Sequence, residues 1–137
     1  MKRMSFITKY LGDISKDDEK NFYKAPDGSI IRKFPDGEKG GLAHCSLLPR
    51  GISKTVKHKT VEELWYCLDG EGKFWRKLND KEETVDVKPG LCFTIPVGVH
   101  FQFKNDKDIP LSFIIATIPR LPGPDEAVPV EDHWKLC

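Results

Sequence analysis

The chain has 137 residues and a mass of 15.6 kDa, which suits one domain. Lys and Arg number 22 against 21 Asp and Glu, a formal charge of +1, so the strongly basic balance of a nucleic-acid binder is excluded. Hydrophobic residues make up 39% and charged residues 31%, which argues against wholesale disorder, and no apolar run approaches the roughly 18–20 residues of a membrane-spanning helix.

The N-terminal stretch Met1–Tyr10 is basic but holds no apolar run of secretory-signal length. The cysteines are Cys45, Cys67, Cys92 and Cys137; none forms a CxxC pair, and three sit in apolar runs. They read as free thiols of a reducing compartment, and a cytoplasmic location is expected.

Residues 1–40 read as a polar N-terminal arm. Ser15 caps a predicted short helix over residues 15–22, with Asp17 and Asp18 suiting its positive end. Two Pro-Asp-Gly tripeptides, at Pro26 and Pro35, signal turns and bracket a short strand over residues 29–34. From residue 41 to 118 the pattern changes. Apolar runs recur at 42–48, 63–68, 73–78, 84–87, 91–95, 100–103 and 111–118, each closed by Gly, Pro or Asn-Asp. Short strands at this spacing, with turns between them, predict an all-β sandwich or barrel. The tail, 119–137, carries four prolines together with Val128, Val130 and Trp134. It reads as an ordered arm laid across the same single domain.

Two stretches carry most of the information. The first runs from His58 through Glu63, Trp65 and Tyr66 to Gly70 and Gly72. The second runs from Gly90 through Pro96 and Gly98 to His100, Phe101, Gln102, Phe103 and Asn105. Together they resemble the two signature motifs of the cupin superfamily, above all its small single-domain bacterial members. The resemblance covers about residues 41–118. It implies an antiparallel jelly-roll barrel and, by default, a homodimer paired through exposed strands.

In many cupins three histidines and a glutamate hold a divalent metal inside the barrel. By this resemblance His58 takes the second histidine's place and Glu63 the glutamate's. The first histidine's place falls on Val56, and the third falls on Phe101, one residue after His100. Two readings follow. In one, His58, Glu63 and a third ligand hold a divalent transition metal such as Zn, Fe, Mn or Ni, the third ligand being His100 turned inward by a bulge, His44 or His133. That centre would serve an isomerase, lyase or oxygenase acting on a sugar-like molecule or small acid. In the other, His58 and Glu63 form a hydrogen-bonded pair in a metal-free binding module.

His58 and Glu63 are five residues apart, so they share a hollow only if the chain turns between them. Glu63 and His58 are then the candidate catalytic pair, with Glu63 as general base. Trp65 shares strand parity with Glu63 and is expected to wall the cavity, as is Cys67. Phe101, Phe103, His44 and Gln102 complete the candidate substrate-binding set. The partner expected is a small molecule, with neither nucleic acid nor membrane.

Overall fold

A computed structural model describes residues 6–136, so Cys137 lies outside the described residues. It contains eleven strands: β1 Phe22–Lys24, β2 Ile30–Lys33, β3 Gly41–Leu47, β4 Val56–His58, β5 Glu62–Asp69, β6 Gly72–Leu78, β7 Lys81–Val87, β8 Cys92–Ile95, β9 His100–Asn105, β10 Leu111–Ile118 and β11 Ala127–Pro129. Single 3-10 turns at Leu11–Asp13 and Pro124–Glu126 are its helical elements among the described residues. No described helix is long and apolar enough to cross a membrane.

All pairings between these strands are antiparallel. One sheet runs β1-β2-β3-β10-β5-β8 and the other β11-β4-β9-β6-β7. This is the jelly-roll barrel that the strand spacing and the family resemblance predict. The predicted helix at 15–22 is absent. Turns replace it, because short polar side chains bond their own neighbourhood: the Ser15 hydroxyl accepts from the Asp17 amide at 3.1 Å, and the Asp18 carboxylate accepts from the Lys20 amide and the Asn21 side chain at 3.3 and 2.8 Å.

The core follows from alternation. On β5, Glu63, Trp65 and Cys67 are buried while Glu62, Leu64, Tyr66 and Leu68 face out. On β10, Leu111, Phe113, Ile115 and Thr117 point inward. Trp65 sits among Phe74, Phe93, Phe101, Phe103 and Phe113, with ring centroids 4.9–6.0 Å apart, mostly edge to face. This aromatic plug fills one part of the barrel and leaves the other open.

Alternation fails on β9, where Phe101, Gln102 and Phe103 are all buried. The C-terminal arm is the cause. It crosses the outer face of β9, where the Gln102 amide donates to the Ser53 and Trp134 carbonyls at 2.9 and 2.8 Å. The Gln102 side-chain oxygen accepts from the His133 and Trp134 amides at 3.0 and 2.7 Å. The arm then adds β11 to the free edge of β4, an edge position that Pro129 tolerates. At the β5–β6 turn, Gly70 has φ +88°, and a Cβ there would lie 2.6 Å from the Pro110 carbonyl oxygen.

Candidate functional site

β4 ends at His58, the chain bends through Lys59 and Thr60, and β5 begins at Glu62. That bend brings His58 and Glu63 to one hollow: His58 Nε2 lies 3.4 Å from Glu63 Oε1. Both are almost fully buried, at 7% and 4% exposure. The Trp65 indole N–H donates to the same Glu63 oxygen at 3.0 Å. Among the described residues, no hydrogen bond reaches the other oxygen, Oε2.

The other face of His58 meets the C-terminal arm. Glu126 Oε2 lies 3.2 Å from His58 Nδ1 and also accepts from the Thr60 and Val61 amides at 2.9 and 3.0 Å. The Thr60 hydroxyl donates to its second oxygen at 2.7 Å. Burial works against ionisation of Glu126, but these donors outweigh it and hold its carboxyl down at about 2. Ionised Glu126 therefore orients the imidazole with a proton on Nδ1, leaving Nε2 toward Glu63. Burial outweighs the pull of His58 and of the Trp65 hydrogen bond and raises the pKa of Glu63.

The pair opens on a cavity of about 490 Å³. Barrel residues Cys45, Val56, His58, Glu63, Trp65, Phe101 and Ile115 form its wall. The N-terminal arm closes one side with Tyr23, Asp27 and Ser29, and the C-terminal arm closes another with Leu121, Pro122, Gly123 and Glu126. Asp27 is 7% exposed. Its Oδ1 accepts from the Ser29 amide and hydroxyl at 2.8 and 2.6 Å. Burial raises its pKa despite those bonds, raises the Tyr23 hydroxyl, and pushes the Cys45 thiol well up.

Of the candidates read from the sequence, His58, Glu63, Trp65 and Phe101 meet at this cavity. Four others do not. His100 pairs opposite Lys77 and faces an outer groove with Lys57, Trp75 and His133, because the register that turns Phe101 inward turns His100 outward. Gln102 shares that outward parity and clamps the arm. His44 lies on the far side of β3 from Cys45, with Nδ1 3.5 Å from the Arg32 guanidinium. Phe103 is wholly inside the aromatic plug. His133 stacks on Trp75 in the outer groove, with centroids 4.6 Å apart.

The residues present do not fit the family's metal centre. Val56 and Phe101, at the first and third histidine places, are direct cross-strand partners on the cavity wall. The His58 ring stacks on Phe101 at 5.9 Å with planes 2° apart. Two apolar side chains therefore occupy half of the ligand set. Among the described residues no group of three His, Cys, Asp or Glu side chains is arranged to hold an ion.

Asp27 and Glu126 escape sequence reading. Asp27 looks like an ordinary turn residue of Pro26-Asp27-Gly28, and Glu126 is one acid in a proline-rich tail. Nothing local marks either as a cavity residue.

Comparison with known proteins agrees with the fold. A family model for the cupin domain matches residues 43–117. An uncharacterised protein of Methanocaldococcus jannaschii is 35% identical over 104 residues, covering 71% of this chain and 78% of that one. The ectoine synthase of P. lautus superposes with a TM-score of 0.70 at 18% identity, covering 95% of this chain and 96% of that one. Bacillus subtilis oxalate decarboxylase, a protein with Mn(II) centres, superposes with a TM-score of 0.65 at 16% identity. That match covers 74% of this chain but only 28% of the decarboxylase.

Proposed function

The chain belongs to the cupin family, and from that premise we propose that it binds a small polar molecule inside the barrel without using a metal, at a site equipped for proton transfer. The reading rests above all on the Val56–Phe101 pair, which puts an apolar wall where the family motif places histidines, beside a buried carboxylate that keeps a free oxygen. The cavity volume is in the range of small-molecule sites, and its mix of aromatic walls and a few buried polar groups matches their usual make-up.

Glu63 is the acceptor for a ligand N–H or O–H through Oε2, and the base if that proton leaves. Its raised pKa makes it a stronger base than an ordinary carboxylate. His58 faces Glu63 Oε1 and takes up or returns a proton there, while Glu126 fixes its tautomer. Cys45, Cys67 and Cys92 are free, which supports a reducing, cytoplasmic setting.

Two measurements on the full chain test this reading. Elemental analysis of protein purified without chelator is expected to show no transition metal near one equivalent. Thermal shifts against a small-molecule panel are expected to yield ligands whose stabilisation disappears in Glu63→Gln. One equivalent of metal that is lost in His58→Ala would overturn the metal-free reading. Ligands that stabilise wild type and Glu63→Gln equally would overturn the site.

A further inference from the structure

The cavity brings together three carboxylates, Asp27, Glu63 and Glu126, against a single imidazole, His58, and two of the three keep spare acceptor capacity. Glu63 offers Oε2, and Asp27 offers Oδ2, since both bonds that Ser29 donates to the Asp27 carboxylate reach Oδ1. Both are more than nine-tenths buried and both face the cavity. The third carboxylate, Glu126, is already saturated by Thr60, Val61 and His58. The site's one imidazole is flanked by Glu63 and Glu126. Of the lysines on the lining, Lys33 is engaged by Asp36 at 3.0 Å and Lys20 is exposed at the rim.

From this arrangement we propose that the ligand carries a primary ammonium group, seated against Asp27 and Glu63 in a cavity walled by Tyr23, Trp65 and Phe101. The inference rests on the small-molecule reading above and adds the class of ligand. A primary ammonium has three donors and no acceptor, the complement of two free carboxylate oxygens. A ligand carboxylate would instead meet like charge in a sheltered cavity, which costs several-fold more there than in water. A neutral diol could use the same oxygens, but it would leave three buried carboxylates to share one imidazole. The N-terminal arm thus supplies half of the recognition: Asp27 lies outside residues 43–117, the part matched by the family model.

Binding of butylammonium, butane-1,2-diol and butyrate tests the idea, followed through the NMR signal of the Trp65 indole N–H, which donates to Glu63. Butylammonium is expected to bind about tenfold or more tightly than the other two, the size of one charge-assisted contact. Asp27→Asn and Glu63→Gln are each expected to weaken it about tenfold or more while leaving diol binding within about threefold. Asp27→Asn keeps the Oδ1 acceptor of the turn. If it still fails to fold, Glu63→Gln decides the matter alone. Diol or butyrate binding as tight as the ammonium, or ammonium binding unchanged in both variants, would overturn the ligand class and leave the small-molecule site standing. No response of Trp65 to any of the three probes would overturn both.

Discussion

Glu126 shows how one side chain from a distant segment sets the state of a site. It collects donors from Thr60 and Val61 and holds His58 from behind. Its pKa falls from 4.5 to about 2 on folding, which corresponds to roughly 3 kcal/mol of stability. Because the folded value is the lower one, that stability is present above pH 4.5 and disappears as the pH falls toward 2. Glu126→Gln is therefore expected to lose about 2–3 kcal/mol at pH 7 in urea unfolding, with the deficit shrinking toward pH 2. An equal deficit at both pH values would mean that the carboxylate charge is not what matters.

Asp27 and Glu63 behave in the opposite sense. Burial raises both, so ionising them costs more in the folded state than in the unfolded chain. Their ionisation costs stability as the pH rises through the folded values, and that cost vanishes below the unfolded ones. Asp27→Asn and Glu63→Gln are each expected to raise the melting temperature at pH 8 more than at pH 4, where both proteins approach parity. A lower melting temperature for both variants at pH 8 would show that the carboxylates are compensated in the free protein. A binding site that holds uncompensated charge and costs its fold some stability is a familiar trade.

At the scale of elements, the C-terminal arm is held to the barrel at several points. Gln102 makes four hydrogen bonds, three of them to His133 and Trp134. The Lys104 ammonium sits 4.9 Å from the Trp134 ring centroid, and Asp132 accepts from the Thr55 amide and hydroxyl. β11 then delivers Glu126 to His58. Gln102→Ala leaves the buried Ser53 carbonyl and the arm's amides without their partner, which is expected to cost about 2–4 kcal/mol. Hydrogen exchange should show the Trp134 amide losing protection first. Unchanged protection of Trp134 in that variant would mean that stacking of His133 on Trp75, not Gln102, secures the arm.

For the whole molecule, the homodimer expected from family resemblance stays a proposal, and the exposed apolar side of β5 is where it would be tested. Leu64, Tyr66 and Leu68 stand 38–45% exposed on the outer face of the six-stranded sheet. Light scattering of the full chain is expected to give twice 15.6 kDa, reverting to one copy in Tyr66→Lys. A single-copy mass for wild type would end the dimer proposal and leave the cavity unaffected.

The strand pattern, the turn glycines and the shared parity of Glu63 and Trp65 were legible in the chain, because alternation and turn chemistry act over a few residues. So were the two motifs, whose spacing identifies the barrel. The sequence also places Val56 and Phe101 at the metal-motif positions, and their pairing on one wall turns that substitution into an apolar surface. Only the tertiary structure decided the rest. His100 and Gln102 face outward because the β9 register puts Phe101 inside, and Gln102 is buried because an arm some thirty residues later in the chain covers it. Asp27 and Glu126 reach the cavity from the two flanking arms, 31 and 68 residues from His58. No local pattern encodes such meetings, since they arise from how both arms fold back over the barrel, and the resulting balance of charge follows from that closure.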